Sequence, residues 1–209
     1  MIINGKTKIC GVIGCPIEHT MSPLMHNLYA EETEVNLAYV PFRVEHEHVG
    51  DAIYGAHALN VQGINVTVPH KQTVMEYLTD IDTDAKVIGA VNTLVRTEEG
   101  YKGYNTDADG LYRAMRRQGI IIAGEACILL GAGGAAKAAA YLLAREGARE
   151  IYILNRSMER GVRLADEINT WMKRTVVQAL ALSDWQSLPE QRYLAVQTTS
   201  VGPSSRPNR

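Results

Sequence analysis

The sequence predicts an α/β fold in two domains, and three observations carry that expectation. Roughly the first seventy residues alternate strand, helix, strand, helix, strand, which calls for a mostly parallel sheet. A second alternation starts at Ala126, after a stretch from Gly119 to Gly124 that reads as a junction. Between the first strand and first helix of that second alternation lies Gly131-Ala132-Gly133-Gly134-Ala135-Ala136, a turn built almost wholly of the smallest residues. The expected division is residues 1–107 and 108–209.

Length and charge agree with this reading and exclude others. A chain of 209 residues holds one large or two small domains. A net charge of −2, with no basic arm or acidic tail, gives no electrostatic footprint for nucleic acid. No apolar run reaches membrane-spanning length, and Met1-Ile2-Ile3-Asn4-Gly5-Lys6 lacks a signal-peptide layout, so a cytoplasmic location is expected. Cys10, Cys15 and Cys127 form no Cys-x-x-Cys pair and no zinc-spaced cluster. They read as reduced core thiols, and no metal site is expected.

Along the chain, Lys6 to Gly14 reads as a buried strand ending in a Gly-Cys-Pro turn. Ser22-Pro23 then reads as a helix start, with a hydroxyl cap and proline at the first position, and the helix runs to about Thr33. Thr20 and Ser22 suit two roles equally: helix capping, or holding a carboxylate at a helix N-terminus. Leu37 to Arg43 alternates as a strand, and His46 to Leu59 reads as a helix with Val49, Ile53 and Ala56 inward. His46 and His48 lack the i, i+4 spacing that would aim two ligands one way.

The next strand, Gln62 to Thr67, leads into Asn65-Val66-Thr67-Val68-Pro69-His70-Lys71. Pro69 reads as the first residue of a helix that runs to about Tyr77. Around that start the chain gathers an amide, a hydroxyl and an ammonium, a set suited to gripping a small polar molecule. A short helix from Asp82 to Ile88 ends at Gly89, and Ala90 to Leu94 enters a strand. Glu98-Glu99-Gly100 reads as a hairpin turn. The return strand ends in Gly103-Tyr104-Asn105-Thr106-Asp107, where Thr106 or Asp107 suits the cap of a helix to about Gln118.

The second domain reads as strand 126–130, helix to about Arg145, strand 149–154, helix 157–173, strand 175–179 and a short strand 194–198. Gly131-x-Gly133-x-x-Ala136 fits the dinucleotide fingerprint of a Rossmann-type fold. The first glycine permits the turn, the second lets backbone approach a pyrophosphate, and the third small residue lets helix pack on strand. At the end of the second strand an NAD site places a carboxylate, whereas here stand Asn155, Arg156, Ser157 and Arg160. Two arginines there suit a 2′-phosphate, so NADP is expected over NAD.

The ordered set Thr20-Met21-Ser22-Pro23, Asn65 to Lys71, Gly89-Ala90-Val91-Asn92-Thr93, Gly103 to Asp107, the Gly131 loop and Asn155-Arg156 closely resembles shikimate dehydrogenases, from about Lys8 to Gly202. The resemblance implies reversible, NADPH-dependent reduction of 3-dehydroshikimate to shikimate, in aromatic amino-acid biosynthesis. It also implies roles. Thr20 and Ser22 would bind the substrate carboxylate. Asn65 belongs to the same substrate-binding set, and Thr67, Asn92 and Asp107 would meet the ring hydroxyls. Lys71 and Asp107 would be the catalytic pair. Gly131, Ala132, Gly133, Gly134 and Ala135 would hold the pyrophosphate, and Asn155, Arg156, Ser157 and Arg160 the 2′-phosphate end. The site is expected in a cleft between the domains, at strand carboxyl ends. An ammonium at Lys71 can stabilise a developing alkoxide and protonate it. Free lysine titrates near about 10.4, so burial would have to bring it toward working pH while Asp107 pulls the other way.

Three departures from the family pattern stand out. Thr20 replaces a serine, and its methyl would narrow the carboxylate pocket, which keeps a quinate or dual quinate/shikimate dehydrogenase in view. Gln197 replaces an asparagine before Thr198-Thr199-Ser200-Val201-Gly202. Pro203 stands where a methionine near the nicotinamide is usual, and Ser204 to Arg209 matches none of the family's later segments. With about four strands in place of six, the second domain reads as incomplete at its C-terminal end. Weak stability or low activity is then expected unless a homodimer compensates, and a non-catalytic binding form is the third reading.

Overall fold

The computed structural model describes residues 3–199. The chain folds as two compact units, Met1–Thr106 and Asp107–Arg209.

In the first unit the chain runs β1 (Lys8–Gly14), α1 (Ser22–Glu32), β2 (Leu37–Arg43), α2 (Val49–Ala58), β3 (Gly63–Val66), β4 (Asp80–Ile81), α3 (Thr83–Ile88), β5 (Thr93–Arg96) and β6 (Tyr101–Tyr104). The sheet order is β2-β1-β3-β5-β6-β4. β1 pairs in parallel with β2 and β3, and β4 with β6, while β5 runs antiparallel between β3 and β6. The sheet is thus mostly parallel, as the alternation requires. Ile13, Val49, Ile53, Ile64, Val66, Val74 and Leu94 fill one core with Tyr101. The Tyr101 hydroxyl donates to the Val61 carbonyl at 2.6 Å, and burial pushes its phenol up to about 12. α3 is capped as its sequence suggests. The Asp82 carboxylate accepts from the Asp84 N–H, and Gly89 closes the helix at φ +66°.

Three local expectations change. Pro69 does not open a helix: the Val68–Pro69 bond is cis, residues 68–72 form turns, and only a 3-10 segment follows over Thr73–Tyr77. His70 N–H bonds the Thr67 carbonyl and Met75 N–H bonds Gln72, both i→i−3, and Val74 N–H to His70 between them is an i→i−4 bond that does not extend into a helix ladder. Ser22 lies inside α1, with Met21 at the cap position and proline in the first turn. Thr20 does the hydroxyl's work from outside, accepting from the Ser22 N–H at 3.3 Å. Finally, the helix expected from His46 starts as a 3-10 turn over His46–His48 and becomes α-helical only at Val49.

The second unit runs α4 (Asp107–Arg117), β7 (Ala126–Leu130), α5 (Gly134–Arg145), β8 (Glu150–Asn155), α6 (Met158–Met172), β9 (Val177–Ala181) and β10 (Leu194–Gln197). Its four strands are all parallel in the order β10-β7-β8-β9. The fourth strand returns to the far side of the first, which makes the strand-order reversal of a Rossmann-type sheet beside β7. α5 buries Ala136, Ala138, Ala139, Ala140 and Ala144, whose small side chains let the helix sit close on the sheet. α6 is capped by Ser157 and buries Leu164, Ala165 and Ile168. Asp107 lies within the first turn of α4, and the Thr106 N–H is committed to the Asn92 side chain. Between β9 and β10, Leu182–Ser187 forms a 3-10 segment that the sequence pattern did not announce.

Candidate functional site

The topology of the first sheet brings separate stretches of sequence to one end. β1 and β3 are parallel, so the loops after both leave at the same carboxyl edge. Thr20 and Ser22 follow β1, and Thr67 and Lys71 follow β3. β5 is antiparallel, so its beginning lies there too, with Thr93 opposite Asn65. β6 reverses again and ends at that edge, with Tyr104 opposite Thr93. Asn92, just before β5, and Thr106, just after β6, are therefore neighbours of the Lys71 turn.

Backbone bonds stitch this edge together. Cys15 N–H donates to the Val68 carbonyl, Val91 N–H to Lys71, and Asn92 N–H to Tyr104. Gly14 is required at the seam, because a Cβ there would lie 2.5 Å from the Thr67 Cγ2 and 3.2 Å from the Val68 carbonyl. Lys71 is half-buried. His70 beside it is fully buried. Its Nε2 lies 2.7 Å from the Val44 carbonyl and must be the protonated nitrogen, since a carbonyl only accepts. Nδ1 has no partner among the described residues.

A polar network runs through the same edge. Asn65 and Asn92 carry it, joined by Tyr39, Thr93 and Thr106. The sequence singled out Asn65 and Asn92 but not Tyr39 or Thr93, which in an alternating strand look like ordinary pleat residues. Only the strand order places them against the two asparagines. Burial pushes the Tyr39 phenol well above its ordinary value, so it stays protonated and able to donate.

In the second unit the Gly131 loop fits a dinucleotide on three structural grounds. Gly131 has φ +109°, and a Cβ there would lie 2.8 Å from the Thr198 Oγ1. Beside Gly133 and Gly134 the Cβ positions open onto empty space. No side chain caps α5, which begins at Gly134, so its first-turn N–H groups face that space uncapped. At the end of β8 the Asn155 amide donates to the Ser157 carbonyl, and the Ser157 hydroxyl caps α6, so both build the turn. Arg156 and Arg160 are exposed, and neither has an ion-pair partner among the described residues. An open hollow beside Arg156 is lined by Ala181, Leu182, Ser183 and Trp185. Gln197 folds its amide oxygen back onto the Thr199 N–H and hydroxyl. Ser200 to Gly202, Pro203 and the segment 204–209 lie outside the described residues.

A family model described as the shikimate dehydrogenase substrate binding domain matches residues 12–94. A second, described as shikimate / quinate 5-dehydrogenase, matches residues 114–200. The NADP(+) shikimate dehydrogenase of Desulforamulus reducens is 43% identical over 207 residues, covering 97% of this chain and 70% of that protein. The chain belongs to the shikimate dehydrogenase family.

Solved members of the shikimate dehydrogenase family share the architecture. One in complex with NADP+ superposes with a TM-score of 0.86 at 38% identity, over 95% of this chain and 68% of the other. The Thermus thermophilus enzyme in complex with NADP(H) and shikimate gives 0.79 at 30% identity, over 92% and 69%. Both units are thus shikimate dehydrogenase units, and the chain spans about 70% of the length of the Desulforamulus relative. No helix among the described residues is long and apolar enough to cross a membrane. Among those residues no group of three or more His, Cys, Asp or Glu could hold a metal ion.

Proposed function

We propose that the chain reversibly reduces 3-dehydroshikimate to shikimate with NADPH. The observation that carries this reading is the convergence of Thr20, Ser22, Thr67, Lys71 and Asn92 at one edge of the first sheet, in a chain whose second unit holds a glycine loop fit for a dinucleotide. NADPH, when bound, supplies the hydride.

The chain's own residues do the rest. Thr20 and Ser22, at the start of α1, hold the substrate carboxylate through their hydroxyls. Asn65, Thr67 and Asn92 form the polar wall for the ring hydroxyls. Lys71 donates a proton to the oxygen that gains charge as the ketone is reduced, and stabilises that charge beforehand. Asp107 accepts from a ring hydroxyl and orients the lysine. Gly131 to Ala135 cradle the pyrophosphate, with Asn155 and Ser157 shaping the turn that aims Arg156 and Arg160 at the 2′-phosphate. A ring hydroxyl needs both a donor and an acceptor, and this set offers both.

The test is the absorbance of reduced nicotinamide with shikimate or quinate, each with NADP or NAD. Shikimate with NADP should give the highest kcat/KM. A second reading, dual use of quinate, is favoured by the Thr20 methyl and by the breadth of the second family model. It predicts comparable rates with both acids. We further propose a cytoplasmic location, consistent with three free cysteines. We also propose self-association as a homodimer. The apolar side chains of Leu24, Met25, Leu28 and Tyr29 on α1 are more than half exposed and would benefit from cover. Sedimentation velocity showing only monomer would refute the dimer.

A further inference from the structure

We propose that Tyr39 is a positioning residue: its hydroxyl heads a one-way hydrogen-bond relay, through Asn65 and Thr93, that acts with the Thr106 N–H to hold one end of the Asn92 carboxamide toward the substrate. The consequence for catalysis rests on the proposed shikimate chemistry. The relay itself rests on geometry alone.

The polarity of each link follows from groups that can act in only one sense. The Asn65 Nδ2 lies 3.4 Å from the Asn92 backbone carbonyl and 3.3 Å from the Thr93 hydroxyl. A carbonyl only accepts, so the amide nitrogen must be on that side. The reversed amide would set oxygen against oxygen. The Asn65 Oδ1 is then the atom 2.6 Å from the Tyr39 hydroxyl, and Tyr39 donates. Thr93 accepts from Asn65, so its single proton goes to the Asn92 Oδ1 at 2.8 Å. The Thr106 N–H, which can only donate, meets the same oxygen at 3.0 Å. With the Thr93 hydroxyl and the Thr106 N–H both donating to that oxygen, the other end of the carboxamide is set as NH2, and the Thr106 hydroxyl lies within reach of both ends, 3.1 Å from Nδ2 and 3.2 Å from Oδ1.

Whatever further group the Asn92 side chain holds, it therefore holds as a donor. A ring hydroxyl that accepts from Asn92 has its own proton to give to a carboxylate, the role proposed for Asp107, the residue directly after Thr106. Reversing Asn92 would break that sequence. Tyr39 itself is held independently of its hydroxyl. Its ring stacks on His26 at 4.3 Å, and its backbone N–H and carbonyl both bond the Asn27 side chain at 2.8 and 2.9 Å. Removing only the oxygen thus tests the relay without removing the strand.

The experiment compares Tyr39→Phe and Thr93→Val, two cuts in the same relay, with wild type. The first readout is the side-chain amide NMR signals of Asn65 and Asn92, which needs no substrate. Both variants should shift the Asn92 signals and speed their exchange with water. The second readout is steady-state kinetics. A loss of about tenfold in kcat/KM is expected, within the range of coupling found between neighbouring groups in one network. That loss should appear in KM for shikimate with KM for NADP unchanged, and Tyr39→Phe should add nothing in an Asn92→Ala background. Unchanged Asn92 signals in Tyr39→Phe, or an equal loss in the Asn92→Ala background, would overturn the relay. A wild type that oxidises no shikimate would instead refute the proposed function, and the amide signals would still decide the relay.

Discussion

Gly131→Ala isolates the demand that the nucleotide loop makes on its backbone. Two costs add. At φ +109° the position is one that side chains rarely adopt, which costs roughly 1–3 kcal/mol. The new Cβ would also lie 2.8 Å from the Thr198 Oγ1 and 3.1 Å from the Thr199 Cγ2. Thr198 cannot yield cheaply, because its hydroxyl and its N–H both donate to the Leu130 carbonyl, at 2.6 and 3.0 Å. Overpacking of this kind costs about 1–3 kcal/mol. A total of about 4 kcal/mol lowers the melting midpoint of a unit of this size by roughly 16–32 °C. Calorimetry on wild type and variant reads it. Thr198→Ala in the Gly131→Ala background should recover the part of the steric share that the Thr198 hydroxyl causes, and leave the Thr199 contact and the dihedral share. A Gly131→Ala protein melting within about 4 °C of wild type, less than 1 kcal/mol, would show that the loop tolerates a side chain at this position.

Other predictions follow from the cofactor end and the core. Arg156→Ala and Arg160→Ala should each reduce the preference for NADP over NAD by about tenfold or more, the worth of a charge-assisted bond to phosphate, read as the ratio of kcat/KM values. Burial of Cys127 in β7 pushes its thiol up to about 11. Its folded pKa exceeds its unfolded one, so the stability it contributes is complete below the ordinary thiol range and is lost as pH rises toward 11. Melts between pH 8 and 11 should fall more steeply for wild type than for Cys127→Ala, and parallel curves would contradict this.

Much of the fold was legible because its signals are local. β2 and β7 have the bounds that their apolar patterns suggest. Asp82 and Gly89 bracket α3 as a cap and a left-handed stop. Ser157 caps α6 in the same way. The misread positions are those where distant contacts outvote local preference. Pro69 looks like a helix start until the Cys15 N–H is seen bonding Val68, which ties the turn to the loop after β1. Ser22 looks like a cap until Thr20 takes that bond. The candidate site was legible as residue types in motifs, but not as a network. Nothing in the order of residues says that Tyr39 meets Asn65, since β1 lies between their strands in the sheet. The β5–β6 hairpin was legible at Glu98-Glu99-Gly100, but the antiparallel pairing of β5 with β3 was not, and it is what carries Asn92 to the edge where Lys71 stands.

The proposed chemistry turns on Lys71 as the proton donor of a shikimate dehydrogenase. The deciding comparison is NADP-dependent oxidation of shikimate by wild type and Lys71→Ala, with shikimate binding measured calorimetrically in both. With Lys71 as donor, turnover should fall by at least about a hundredfold, the contribution of a positioned general acid, with binding weakened far less. Turnover by Lys71→Ala within a few-fold of wild type would contradict that role, and would move the proton donor elsewhere on that edge.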